Sequence, residues 1–292
     1  MLHQVDNAII MAAGTSSRFA PLSYEMPKGL ISVRGEVLVE REIRQLQEAG
    51  IHDIILVTGY KKECYAYLAE KFGVRLVDNP LYATRNNNAS IYAVKDFLKN
   101  SYICSSDNYF SENPFEREVD GSYYAAVYAD GETAEWCMEE DPEGFISQVT
   151  VGGQNSWYML GHVFWDEDFS RKFVEILERE YDLPETADKL WEQIFMEHLH
   201  EFRMKVRHYP NSAIFEFDTL DELRQFDESY WEDTRSPILE KIAAQLQCSQ
   251  REIRNIRTIK AVDNQASGCT FEIASTGHRY EYDYNTMKLR RM

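Results

Sequence analysis

Apolar residues in the first hundred positions fall in short unbroken runs separated by amphipathic stretches, the order expected of βα units around a parallel sheet. Residues 8–11 (AIIM) read as a buried strand that opens into a small-residue loop. Residues 36–49 carry Val39, Ile43 and Leu46 at helical spacing and stop at Gly50. Residues 54–57 predict a second strand, 61–72 a helix ending at Gly73, and 74–77 a third strand closed by Asn79-Pro80. A helix over 90–98 and a strand over 102–105 complete a doubly wound, mostly parallel α/β pattern.

From residue 122 the pattern changes to alternation. Residues 123–128, 136–138 and 158–165 predict antiparallel or mixed strands laid over one end of the sheet. Helices over 168–180 and 187–200, strands over 205–209 and 213–217, and a helix over 219–230 follow. The polar run SYWEDTRS at 229–236, closed by Pro237, marks a boundary, so residues 1–232 and 237–292 are expected as a main domain and a small α+β appendage. In the appendage, 237–245 predicts a helix, 249–256 a second with Ser249 as N-cap, and 270–274 with 279–284 a hairpin.

Composition narrows the class. The chain has 292 residues and a formal net charge of −18, which argues against nucleic acid or an anionic membrane as partner. No run approaches the length of a membrane helix, and the polar start does not read as a signal peptide. The five scattered cysteines form no CxxC pair, which suits reduced thiols in a cytoplasmic protein. The seven histidines show no ligand or triad spacing. A polyanionic substrate would need placed cations against this acidic field.

Those cations occur after the first strand. Ala12-Ala13-Gly14-Thr15-Ser16 is a small-residue turn whose backbone N–H groups can face a polyphosphate without a bulky side chain in the way. Arg18 can add a forked donor to the outer phosphates, and Lys28, beyond Pro21 and Pro27, can place a point charge on the α-phosphate, where negative charge grows during attack. The spacing is neither that of a P-loop nor that of a dinucleotide-binding GxGxxG turn. Asn79, Asn88 and Ser90 follow strand ends and are expected on the nucleotide side.

Carboxylates for a metal are candidates at three positions. Asp107 follows the 102–105 strand, at the end where open α/β sheets bind ligands. Glu216 and Asp218 flank Phe217, so in extended chain they share one face and could offer hard oxygen donors to Mg²⁺. Spacing alone leaves another reading open: a solvated strand face with Asp218 at a helix N-cap.

The run from Met11 to Arg18 with Pro21 and Pro27-Lys28 resembles the AxGxGxR, P and PK signature of the sugar-phosphate nucleotidyltransferases, with Ser16 in place of the second glycine. Asp107, the AIFEFD segment ending in Asp218, the 78–82 and 86–92 segments and Glu135-Trp136 are similar to phosphocholine cytidylyltransferases of the LicC type, over about residues 5–230. The resemblance implies a GT-A-like nucleotidyltransferase fold with an acceptor lid of mixed strands. It also implies CTP and phosphocholine as substrates and Asp107, Glu216 and Asp218 as the ligands of Mg²⁺.

A quaternary ammonium is best held by aromatic faces beside a carboxylate. Glu135 with Trp136 and Asp188 with Trp191 are therefore candidates for the acceptor, with core packing the other reading of both indoles. Transfer to 2-aminoethylphosphonate or a sugar 1-phosphate is the alternative within this chemistry, and a non-catalytic nucleotide sensor the alternative outside it. Residues 237–292 loosely resemble the opening of a choline kinase N-lobe without its phosphate loop, which leaves a packing or homodimer role as the expectation.

Overall fold

The computed structural model describes residues 2–261 and 266–292, so a few residues of the 237–292 segment compared above with a kinase N-lobe lie outside it. Along the chain run β1 (Asn7–Ala12), α1 (Leu22–Glu25), α2 (Leu38–Glu48), β2 (Ile54–Thr58), α3 (Tyr67–Phe72), β3 (Arg75–Asp78), α4 (Asn88–Ala93), β4 (Ser101–Ser105), β5 (Tyr123–Glu140) and β6 (Ile146–Trp165). Then come α5 (Glu167–Glu180), α6 (Trp191–Glu197), β7 (Lys205–His208), α7 (Leu220–Phe226), α8 (Pro237–Leu246), β8 (Ile253–Lys260), β9 (Ala266–Ile273), β10 (Arg279–Asp283) and β11 (Lys288–Arg291). Two compact units form, Met1–Gly14 with Leu38–Glu216 and Thr15–Val37 with Phe217–Met292. The division is not a single cut: residues 237–292 share their unit with 217–236 and with the 15–37 segment of the first third.

In the first unit a sheet runs in the order β7-β5-β6-β4-β1-β2-β3, with β4, β1, β2 and β3 parallel and β6 antiparallel to β4. All five residues of β2 are buried, as a strand covered on both faces requires. The three alternating runs after residue 122 are one long hairpin, β5 and β6, because bulges carry the ladder through glycines and polar residues that interrupt the apolar pattern. Trp165, Phe169, Phe173, Trp191, Phe195 and Phe202 pack together between this sheet and α5 and α6. Truncating Phe173, which is fully buried, should cost about 3–5 kcal/mol.

The second unit carries an antiparallel sheet in the order β8-β9-β10-β11. The helix expected over 249–256 is instead a short turn followed by β8. Ile253, Ile256 and Ile259 mimic helical spacing, but a bulge between Arg254 and Arg257, with Asn255 at φ 52°, inserts the extra residue. The helix expected from residue 36 begins at Leu38, since Glu36 and Val37 pair with Ser32 and Val33.

Candidate active site

β1 delivers Ala12 and Ala13 as buried residues and Gly14 as an exposed one. A Cβ on Gly14 would meet no atom within 4 Å, so the chain's own packing does not demand a glycine there. Such a position, small and open after a parallel strand, leaves room for a ligand to approach the backbone. Behind it, Tyr60 N–H donates to Ala13 O at 3.0 Å. Gly59 permits this contact, since a Cβ there would stand 3.0 Å from that of Ala13 and 2.8 Å from that of Tyr82.

Beyond Thr15 the loop turns through Ser16 at φ 45°, ψ 45°, the left-handed region. That conformation explains why glycine is the usual residue at this point of the signature. Here Ser23 Oγ donates to Ser16 O at 2.7 Å and Phe19 N–H to the same oxygen at 2.9 Å, which hold the turn. Arg18, largely exposed, pairs with Asp218 at 2.7 Å. The Lys28 ammonium, on a side chain only 5% exposed, lies 3.8 Å from the other Asp218 oxygen and 5.8 Å from the Phe19 ring centre. Both candidate cations thus converge on one candidate carboxylate.

The N-cap alternative for Asp218 is answered by its neighbour. Thr219 caps α7, accepting from Glu222 N–H at 3.2 Å while the Glu222 carboxylate accepts from Thr219 N–H at 3.0 Å. The Asp218 side chain is therefore not the cap. In the first unit, the two-residue strand Ile214–Phe215 pairs antiparallel with Tyr109–Phe110, so Glu216 and Asp107 leave the same end of one short ladder. The Asp107 charge reaches inward: after burial itself, it is the next cause that holds the Glu42 carboxyl far above its usual range.

Asp107, Glu216 and Asp218 each carry carboxylate oxygens, the donor type that hard divalent cations prefer. Among the described residues no three His, Cys, Asp or Glu side chains form a closed cation cluster, and Asp218 is engaged by Arg18 and Lys28.

Asn79, Asn88 and Ser90 are all buried. Asn79 Nδ2 donates to Ser90 Oγ at 3.1 Å and its oxygen accepts from Leu81 N–H at 3.0 Å. Asn88 Nδ2 donates to the carbonyls of Thr186 and Lys189. These three side chains shape the loops, and their polar atoms meet protein partners.

On the acceptor side, Trp191 is 1% exposed and belongs to the core, stacked on Tyr124 at 5.8 Å and edge-on to Trp165 at 5.0 Å. Trp136 is partly buried against the same core, while Glu135 and Asp188 are exposed. Asp188 is placed by its backbone, whose carbonyl accepts from Asn86 Nδ2 at 2.9 Å.

An acidic and aromatic cluster joins some of these to residues that spacing did not single out. Burial first, then the charges of Glu192 and Glu216, hold the Tyr124 hydroxyl far up; burial, then Glu135 and Glu216, raise that of Tyr158. Glu192 accepts from Asn87 Nδ2 at 3.1 Å and from the Tyr124 hydroxyl at 3.4 Å. One of 49 acidic residues, Glu192 follows a tryptophan that itself faces the core, and nothing in its local pattern marks it.

Burial pushes the Glu192 carboxyl up from 4.5 to about 7, against the Asn87 and Tyr124 hydrogen bonds that lower it. Between those two values the folded chain keeps a proton that the unfolded chain releases, so stability falls as pH rises through the window and the deficit is complete above it. Glu192→Gln should therefore gain in melting temperature over the parent at pH 8 relative to their difference at pH 4. Thermal unfolding at both pH values checks this; parallel curves for the two proteins would refute a carboxyl that titrates higher in the folded chain.

Comparison with known proteins shows the family. Residues 8–109 match the MobA-like NTP transferase domain. The chain is 35% identical to a choline-phosphate cytidylyltransferase of Streptococcus pneumoniae over 76% of its own length and 96% of that enzyme. It is 33% identical to a 2-aminoethylphosphonate cytidylyltransferase of Lancefieldella rimae, over 77% and 93% of the two chains. A solved structure of the CTP:phosphocholine cytidylyltransferase LicC from Streptococcus pneumoniae superposes with a TM-score of 0.74, covering 78% of this chain and 99% of that one. The inositol-1-phosphate CTP transferase of T. maritima, at 16% identity and a TM-score of 0.61, shares the fold. With 35% identity extending over nearly the whole of the Streptococcus pneumoniae enzyme, the chain belongs to the LicC-type choline-phosphate cytidylyltransferase family of nucleotidyltransferases.

Proposed function

We propose that the protein transfers a cytidylyl group from CTP to phosphocholine, giving CDP-choline and pyrophosphate, with Mg²⁺ as the divalent ion. The observation that carries this reading is the 35% identity extending over 96% of the Streptococcus pneumoniae enzyme. The acidic and aromatic cluster of Glu135, Glu192, Glu216, Tyr124 and Tyr158 supports a cationic acceptor.

In this reading a phosphate oxygen of phosphocholine attacks the α-phosphorus of CTP. A P–O bond forms there, the α–β phosphoanhydride bond breaks, and pyrophosphate leaves with the bonding pair. The acceptor oxygen is already anionic, so no general base is needed, which fits histidines without triad spacing. The turn at Gly14 and Arg18 bind the triphosphate, and Lys28 balances charge at the α-phosphate. Asp107, Glu216 and Asp218 would hold the magnesium, which when bound neutralises phosphate charge. Reduced cysteines suit work in the cytoplasm, and no helix among the described residues is long and apolar enough to cross a membrane.

A second acceptor, 2-aminoethylphosphonate, is favoured by the 33% identity to the Lancefieldella rimae enzyme. A primary ammonium can donate hydrogen bonds to carboxylates such as Glu192, whereas a quaternary one relies on charge and aromatic faces. The test is a matrix of nucleoside triphosphates against phosphocholine, 2-aminoethylphosphonate and a sugar 1-phosphate, read by pyrophosphate release with and without a chelator. CTP with phosphocholine should give the highest kcat/KM, lost on chelation. A different pair leading by tenfold would replace this reading, and nucleotide binding without turnover on any acceptor would end it.

A further inference from the structure

The Streptococcus pneumoniae relative is matched across 96% of its length by only 76% of this chain, so about a quarter of this protein has no counterpart there. In the structure, residues 237–292 fall in one compact unit with Thr15–Val37, the segment that carries Ser16, Arg18 and Lys28. The contacts within that unit are specific. Thr258, on β8, donates its hydroxyl to the carbonyl of Ser17. Ile238 N–H, in the first turn of α8, donates to Glu25 Oε1 at 2.8 Å, just past the loop. The ring of Tyr284, which is 5% exposed, lies 4.5 Å from that of Tyr24. Farther along, Tyr230 and Arg235 donate to Ser32 O at 2.6 and 2.8 Å, and Arg34 N–H donates to Asp227 at 2.6 Å.

The Ser17 carbonyl is a sensitive place for such an anchor. A trans peptide is planar, so a carbonyl drawn toward Thr258 turns the Arg18 N–H of the same peptide to the opposite side. The residue before it, Ser16, is left-handed at φ 45°, a state a non-glycine residue keeps only when its surroundings determine it. Three bonds hold these two carbonyls from inside the loop segment: Phe19 N–H and Ser23 Oγ on Ser16 O, and Ala20 N–H on Ser17 O. Thr258 supplies a bond from outside it, across 241 residues of sequence.

We propose that the C-terminal sheet is a buttress for the triphosphate loop, with Thr258 as a positioning residue that presets the 16–18 backbone for the nucleotide. The proposal rests on the reading of that loop as the phosphate site. Loss of one such hydrogen bond should loosen the loop and weaken nucleotide binding by up to about tenfold, without touching the acceptor.

The test uses the full-length chain with Thr258→Val and Thr258→Ser. Amide hydrogen exchange over residues 14–20 is followed without nucleotide, and KM for CTP and for phosphocholine are measured separately. In Thr258→Val the 14–20 amides should exchange faster and the CTP KM should rise about five- to tenfold, with the phosphocholine KM unchanged; Thr258→Ser should restore both. Unchanged exchange over 14–20 would overturn the buttress. So would an equal rise of both KM values alongside a general fall in melting temperature, since that is the pattern of plain destabilisation. If Thr258→Val does not fold, Tyr284→Leu removes the Tyr24 contact made by the turn that follows β10 and is read the same way. Should the parent protein transfer no nucleotide to any acceptor, the transferase reading fails, and the exchange measurement alone decides the buttress.

Discussion

Asp107→Asn and Asp218→Asn are each expected to lower pyrophosphate release by about a thousandfold, while the protein stays folded. The reasons differ at the two positions. The Asp107 charge contributes to holding the buried Glu42 carboxyl and the Tyr65 hydroxyl away from their ionised forms, after burial as the main cause. Removing that charge eases a repulsion inside the first unit, so Asp107→Asn should leave the melting temperature unchanged or raise it while activity is lost. Opposite effects on stability and function mark a residue kept for chemistry.

Asp218 is partly exposed and bridges Arg18 and Lys28, and the cap of α7 belongs to Thr219. Its neutralisation therefore removes the exposed pair with Arg18, worth up to about 1 kcal/mol, together with the longer contact to Lys28, and leaves the helix start in place. Steady-state pyrophosphate release and thermal unfolding on the same samples make the comparison. Turnover within tenfold of the parent in both variants would remove the metal-ligand assignment, and loss of activity that tracks unfolding would reduce it to a structural role.

Lys28→Met should lower kcat by about a hundred- to a thousandfold with a smaller change in the CTP KM. The ammonium sits on an almost fully buried side chain, with Asp218 at 3.8 Å and the Phe19 ring at 5.8 Å. Few water molecules can substitute for its charge there, so in the proposed reading the charge that grows on the α-phosphate would lose a fixed partner. Methionine keeps the length and most of the volume, and removing one partner of an ion pair is costly chiefly when it strands the other as a buried charge. Asp218 keeps Arg18 at 2.7 Å. Lys28→Arg should not restore the rate, because a planar fork does not fit a site shaped for a point charge. A variant in which only the CTP KM rises would make Lys28 a ground-state contact.

The chain's local pattern already held the parallel strands and the turn at Gly14. Each depends on neighbours a few positions away: unbroken apolar runs for strands covered on both faces, and small residues where a ligand meets backbone. The same pattern misread 249–256, because a bulge at Asn255 restores on a strand the three-residue spacing of a helix. It also left Trp191 open between an acceptor site and the core; the indole packs against Trp165 and Phe173, and its neighbour Glu192 bonds to Asn87 and Tyr124. Tryptophan has the same composition signal in a core as in a cage, and only packing separates the two.

By itself, then, the sequence determined the α/β class and the small-residue turn that follows the first strand, because these are written in short-range periodicity and residue type. The tertiary structure alone decided that Glu192, Glu216 and Tyr124 share one neighbourhood, and that the C-terminal sheet is joined to the 15–37 segment through Thr258 and Ser17. Those pairings connect residues far apart along the chain. They follow from which surfaces exclude water together, a property of the packed whole that no local spacing encodes.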